Sequence, residues 1–435
     1  MGLLTNANAS QGTLPVMISR LITYAQPLSW FFYFVGVLFI FVMPYSEYSH
    51  KTYFSENALL PGLVRLEFDM ENVANQFLED LKEEAQKTPN APPFPWIEAR
   101  LKQMGLEVYR HNFTLNFPLG AEPSVHKGDN IYAILRAPRA SSTEALVLTT
   151  PYRPPFSLES PTDVSVAILL TMAKFFRHKK YWAKDIIFVI TQHEQLGMQA
   201  WLEAYHKTSC GYGIKALDHG DLEARAGSIQ AAINLEITHE AFTHLNVKVE
   251  GLNGQLPNLD LVTLVNRLAL KEGLPSMFQG MEDAAHPESW NGYMKSLKTF
   301  VSMAMKQAAG GVPTGNHGLF HRFGIESVTI ESVHKFTRRS RRRDFNLYTA
   351  GKILEGIYRS LNNLLERFHQ SFFFYLLPGT SRYVSIGMYM PAFGCLAGGM
   401  LLLAMRLWTD CTIRENSQVT IICLSIHKIR QITRH

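Results

Sequence analysis

The chain has 435 residues, 46% of them hydrophobic, and a formal net charge of +5 from 42 Lys and Arg against 37 Asp and Glu. So small an imbalance gives no basic domain of the kind that tracks a nucleic-acid backbone, and the chain is too apolar to be disordered. Four cysteines, Cys210, Cys395, Cys411 and Cys423, exclude a disulfide-built scaffold, so a folded domain here rests on its packed core.

Residues 28–43 form an apolar run rich in Phe and Val, and with the softer residues before it this run reaches the roughly 20 residues needed to cross a bilayer core. Pro44-Tyr45-Ser46-Glu47 offers no small-residue cleavage signature, so the run reads as an uncleaved signal anchor. Residues 67–85 follow as a polar helix, which four prolines between 89 and 95 interrupt, and residues 96–105 suggest another short helix. Strands are predicted at 107–113, 130–137 and 145–150, a helix at 162–177, a strand at 185–191 and a helix at 198–206. Further strands at 228–237 and 245–250 precede helices at 256–270 and 293–307. Strands separated by helices of this length imply an α/β fold, a mostly parallel or mixed sheet with helices on both faces.

The densest charge, Arg338-Arg339-Ser340-Arg341-Arg342-Arg343, has no aromatic-laced groove beside it and reads as an exposed linker. The last long helix starts near Asn346 and is expected to run towards Phe372, where the aromatic Phe372-Phe373-Phe374-Tyr375 suits a membrane interface. A second apolar segment at 383–408 contains Gly394 and Gly398, whose spacing lets a neighbouring helix approach closely. The expected organisation is an N-terminal cytosolic segment (1–21), a membrane helix (22–45), an α/β domain (46–370), an interfacial aromatic segment (371–382), a second membrane helix (383–408) and a polar tail (409–435).

Three carboxylates fall at strand ends or helix starts, where open α/β sheets place their sites: Asp163, Glu194 and Glu236. Convergent carboxylates can hold Zn or another divalent ion, but Asp163 equally suits a helix cap, Glu194 a turn and Glu236 an ion pair. Cys210 has no nearby histidine pattern, and no serine nucleophile elbow is present. Asn112-Phe113-Thr114 is a glycosylation sequon.

Longer strings are more specific. Tyr53-Phe54-Ser55-Glu56-Asn57, Tyr181-Trp182-Ala183-Lys184-Asp185, the run from Val249-Glu250-Gly251-Leu252 through Pro257-Asn258-Leu259-Asp260, and Leu364-Leu365-Glu366-Arg367-Phe368-His369-Gln370-Ser371 are among them. Together they make the chain resemble the Gaa1 subunit family of the glycosylphosphatidylinositol transamidase, the endoplasmic reticulum complex that attaches lipid anchors to proteins.

That resemblance implies a luminal domain similar to zinc aminopeptidases of the M28 type. The bridging aspartate corresponds to Asp163, the paired base and ligand glutamates to His193 and Glu194, and a further acidic ligand to Glu236. The first histidine ligand is missing from Pro151-Tyr152-Arg153. Loss of that ligand and of the base implies a scaffold without ordinary peptidase activity, and no zinc is expected. The resemblance further implies glycolipid contacts at Tyr53, Ser55, His369, Gln370 and Ser371, with a divalent ion near the lipid phosphates held by Gln370. Implied partners are a caspase-like catalytic subunit, other membrane subunits, the glycolipid, and precursor proteins with carboxyl-terminal signals. Nucleic acid is not among them.

Two other functions are weighed from the residues: a membrane-bound metallopeptidase built on the three carboxylates, and a regulatory form competing for complex partners. The second follows from the polar tail, in which no string of the family is recognised.

Overall fold

The computed structural model describes residues 13–63, 65–87, 91–117, 124–139, 142–155, 157–209, 216–309, 313–335, 344–368 and 373–432. It divides into two compact units, residues 1–48 with 384–435, and residues 49–383. The first helix, α1 (Thr13–Val42), contains a candidate membrane span at Thr23–Val42, 20 residues long.

The second unit opens with the two-residue strand β1 (His50–Lys51) and a 3-10 turn at Asn57–Leu63. Helix α2 (Glu71–Lys87) buries Ala74, Phe77, Leu78, Leu81 and Ala85, one apolar stripe on an otherwise charged helix. Pro93 stands at the N-cap of α3 (Phe94–Gln103), where a missing N–H costs nothing. After it come β2 (Glu107–Phe117), β3 (Ser124–Leu135), β4 (Glu144–Pro151), α4 (Asp163–His178), β5 (Asp185–Thr191) and α5 (Gln195–His206). The next stretch contains β6 (Leu217–Asp218), β7 (Ser228–Glu236), β8 (His244–Lys248), α6 (Leu259–Lys271), β9 (Ser276–Phe278) and β10 (Met281–Glu282). Helices α7 (Trp290–Ala309) and α8 (His317–His321), strand β11 (Glu326–Val333), helix α9 (Leu347–Asn362), and strands β12 (Tyr375–Leu376) and β13 (Arg382–Ser385) complete the order.

Ten strands form one sheet in the order β10-β9-β8-β11-β7-β4-β5-β3-β2-β6. Its centre, β11-β7-β4-β5, is parallel, whereas β3 against β5, β2 against β3, and β8 against β11 are antiparallel. The sheet is therefore mixed: the long β2–β3 pair adds an antiparallel wing to a crossover core.

Alternation along β5 explains why both faces need a cover. Ile186, Phe188 and Ile190 join the cluster that also holds residues of α2, α4, α6 and α9, while Ile187 and Val189 join the cluster containing Met198, Trp201 and Phe320.

Three sequence expectations change here. A strand at Glu326–Val333 was not anticipated, yet it sits between β7 and β8 and completes the centre of the sheet. Helix α9 stops at Asn362, well before residue 372, and there the Asn362 side chain accepts the backbone N–H groups of Ala183 (2.8 Å) and Lys184 (3.2 Å), tying the helix end to the loop before β5. Tyr375, read as interfacial, is buried, its hydroxyl donating to the Pro257 carbonyl at 2.8 Å. Residues 371 and 372, Cys210 and the arginine run at 338–343 lie outside the described residues.

Helix α10 (Ile386–Ile432) contains the second candidate span, Ile386–Cys411, and continues unbroken through most of the segment read as a polar tail. Within the first unit, Ser29 Oγ donates to the Gly399 carbonyl at 2.8 Å. A Cβ on Gly399 would lie 3.0 Å from the Ser29 carbonyl, and one on Gly36 would lie 2.9 Å from Leu396. The close approach of α1 and α10 thus uses Gly36 and Gly399, while Gly394 and Gly398, singled out by spacing, have open space beside them.

Candidate functional site

Registry across three strands builds one polar face. Glu331 lies opposite Glu236 on β7 and opposite Asn246 on β8, and two residues earlier Thr329 lies opposite Asn234 and Lys248. Residues two apart share a face of a sheet, so these six side chains emerge together. Two glutamates directly across from one another repel. Lys248 resolves the conflict, its Nζ 2.8 Å from Glu236 and 3.1 Å from Glu331. Burial works against the charge on Lys248, but the two carboxylates hold its pKa above the ordinary lysine value.

Arg153, just beyond β4, reaches the same face. Its Nε donates to Glu194 at 2.9 Å, and its guanidinium lies 2.9 Å from Glu159 and 3.8 Å from Glu236. Thr162 fixes the Arg153 backbone, accepting its N–H at 2.9 Å and donating to the Pro151 carbonyl at 2.6 Å. Glu194, Glu236, Arg153 and Lys248 line a cavity of about 610 Å³.

The turn that delivers Glu194 is strained. His193 and Glu194 both have positive φ, 57° and 50°, in a region that side-chain-bearing residues rarely occupy. Asn130 braces the turn, accepting the Gln192 N–H at 3.1 Å and donating to the Gly197 carbonyl at 2.8 Å. A Cβ on Gly197 would stand 2.1 Å from the Gln192 carbonyl, so only glycine fits there. The exposed His193 ring stands edge-on to Phe113 at 6.4 Å and is not part of the cavity wall.

A hydrogen-bond chain extends inward from Glu236. Asn234 Nδ2 donates to Glu236 at 3.1 Å and to Thr329 Oγ1 at 3.0 Å. Thr329 donates to His317 Nδ1 (2.8 Å), and His317 Nε2 donates to the Glu250 carbonyl at 2.9 Å. These partners fix the tautomer, and complete burial lowers the His317 pKa well below its usual value, so the ring is neutral.

Asp163 stands apart. It lines a neighbouring cavity of about 640 Å³ with Lys82, His239 and Glu240, and its Oδ1 is buried without a hydrogen-bond partner. Burial raises its pKa, with Lys82 opposing. Of the three carboxylates picked out in the sequence, Glu194 and Glu236 therefore come together and Asp163 does not join them.

A metal centre built on the three carboxylates does not fit these side chains. Arg153 occupies the carboxylates a metal would need, Lys248 holds the other face of Glu236, and His193 turns away. Among the described residues no group of three or more His, Cys, Asp or Glu is arranged to hold a metal ion. Arg153, Lys248 and Glu331 went unrecognised in the sequence, because their pairing joins strands remote in the chain.

The remaining candidates disperse. Tyr53 is half exposed, its ring 6.4 Å from Tyr383. Ser55 is engaged: its hydroxyl donates to Asp260 at 2.9 Å and its N–H at 3.2 Å. Asn112 is exposed on β2. His369, Gln370 and Ser371 lie outside the described residues.

Fold and site together define a mixed α/β domain between two candidate membrane helices, with an enzyme-like strand-end cleft whose carboxylates are closed by ion pairs. The chain belongs to the Gaa1-like family of GPI transamidase components, whose sequence profile matches residues 127–424. It is 32% identical over 386 residues to the GPI transamidase component gaa1 of Schizosaccharomyces pombe, covering 86% of this chain and 63% of that protein. It is 29% identical over 393 residues to the GPI transamidase component GAA1 of Saccharomyces cerevisiae, covering 86% and 56%. The chain thus spans less than two thirds of the length of these relatives. Solved structures it is similar to include a glutaminyl cyclase of Porphyromonas gingivalis (14% identity, TM-score 0.40, covering 69% of this chain and 96% of that one). Another is the LapA aminopeptidase of Legionella pneumophila (9% identity, TM-score 0.42, covering 73% and 78%).

Proposed function

We infer that this chain is a non-catalytic component of a glycosylphosphatidylinositol transamidase, held in the endoplasmic reticulum membrane with its α/β domain in the lumen. The domain is an M28-peptidase-like scaffold. It serves to bring glycolipid and precursor protein together, while bond chemistry belongs to a caspase-like partner that supplies the cysteine nucleophile. Tyr53, Ser55 and the segment His369-Gln370-Ser371 are the proposed glycolipid contacts, with Gln370 near a divalent ion. Asn112, exposed on β2, is the proposed glycosylation site.

The observation that carries the non-catalytic reading is the guanidinium of Arg153 between Glu194 and Glu236. A cation fixed there competes with a metal for both carboxylates and offers no group to deprotonate water. The test uses cells lacking their own copy of this subunit and a lipid-anchored surface reporter. Glu194→Gln and Glu236→Gln variants are expected to support reporter display in proportion to their abundance, and to co-purify with the caspase-like subunit. Loss of display at normal abundance and normal co-purification would assign chemistry to the cleft and overturn the reading.

A further inference from the structure

Helix α7 buries one face and leaves a second apolar stripe uncovered. Thr299, Phe300 and Met303 are buried, whereas Trp290, Met294 and Met305 are 73%, 44% and 63% exposed. At 100° per residue Trp290, Met294, Leu297, Val301 and Met305 fall within one narrow sector. Lys298 adjoins that sector, Lys295 and Lys306 lie further round the same side of the helix towards the buried Thr299, and α7 contains no Asp or Glu. Trp290 packs against Tyr293, with ring centroids 5.6 Å apart.

Two observations bear on what covers this stripe. First, the lysine flank and the tryptophan at the helix start match a helix lying in a bilayer interface, where cations meet anionic headgroups and indole rings sit at headgroup depth. Protein–protein interfaces, by contrast, are depleted in lysine. Second, α7 is packed beside the chain's own route towards an apolar helix. The Leu377 N–H lies 3.0 Å from Met303 Sδ, and Lys295, Ser296 and Thr299 line a small cavity with Pro378, Gly379 and Arg382. Only β13 separates that segment from Ile386, where the candidate span begins. Phe374, just before β12, is 64% exposed.

We propose that α7 is an interfacial helix, its Trp290–Met294–Met305 stripe inserted into the headgroup boundary of a phospholipid bilayer. The inference rests on the membrane placement of the chain and is independent of the transamidase assignment.

The test uses the full chain with its four cysteines changed to serine and an environment-sensitive fluorophore on one introduced cysteine. The positions are Trp290→Cys, Met294→Cys and Met305→Cys on the stripe, with Asn291→Cys and Lys306→Cys off it. The chain is reconstituted in phosphatidylcholine vesicles with or without phosphatidylserine. Stripe labels are expected to emit further to the blue and to be quenched several-fold more by acyl-chain nitroxides than by aqueous iodide, with the reverse at the other two. A Lys298→Glu/Lys306→Glu pair is expected to weaken nitroxide quenching on the phosphatidylserine vesicles and to leave it little changed on neutral ones. Stripe labels open to iodide in an integral chain would overturn the proposal alone. Stripe labels shielded only when partner subunits are added would overturn it in favour of a protein interface. A chain stripped from the vesicles by alkaline carbonate would overturn the membrane placement along with it.

Discussion

Glu236 and Asp163 occupy adjoining cavities that share Thr238, His239 and His334, and both are nearly buried, yet they are stabilised in opposite ways. Glu236 has a surplus of partners: Lys248 at 2.8 Å, Asn234 at 3.1 Å and Arg153 at 3.8 Å. Asp163 has an orphaned Oδ1 and a pKa raised by burial, so its environment favours the neutral acid. A buried carboxylate can be met either by importing a cation or by leaving burial to raise its pKa. The first route makes the site intolerant of cation loss, while the second leaves it indifferent to loss of the charge itself.

The contrast is broken most directly at Arg153. Arg153→Met leaves Glu194 and Glu236 without their shared guanidinium, and is expected to cost roughly 2 kcal/mol: Glu236 keeps Lys248 and Asn234, while the partly covered Glu194 loses its cation. Denaturant unfolding of the detergent-solubilised chain measures it, and a cost near zero would show the ion pairs to be dispensable. Lys248→Met exposes the direct Glu236–Glu331 repulsion and is expected to cost about 2 kcal/mol. Adding Glu331→Gln should recover part of that loss, a coupling that a double-mutant cycle reads.

Asp163→Asn sharpens the other side, with an expected change within about 1 kcal/mol at neutral pH, in the stabilising direction. Its pH dependence carries the sign. A carboxyl whose folded pKa is raised contributes its stability below the ordinary aspartate value of 3.8 and loses it as pH climbs through the folded value. Wild type should therefore lose stability relative to Asp163→Asn across that rise, and parallel curves would refute a raised Asp163 pKa. Smallest of all, Glu159→Gln removes a partner whose side chain is 61% exposed, and is expected to change stability by no more than about 0.5 kcal/mol.

The crossover core was legible because its signals are local. β5 begins and ends at the predicted residues, and α4 differs from its predicted bounds by one residue at each end, since both are dense apolar segments with polar boundaries. β11 carried a readable pattern as well: Val328 and Ile330 alternate with Ser327, Thr329 and Glu331, the period-two signature of a strand. It was obscured by its place between a histidine-rich turn and an arginine run. The end of α9 was not legible, because no glycine or proline marks it and the contact that anchors it, from Asn362, is to residues nearly 180 positions earlier. The cleft was half legible: the carboxylates stand at strand ends, but the cations closing them come from β8 and from the loop after β4, and only the fold brings those together.

The pairing of His50 with Tyr383 and of Lys51 with Arg382 has a mechanical consequence. It places the entry and exit of the α/β domain side by side, closing a loop that holds the whole ten-stranded sheet. A pull that separates the two flanking segments loads this short ladder bond by bond, like the teeth of a zip, before any strain reaches β4, β5 or β7. The carboxylate cleft is insulated from such tension.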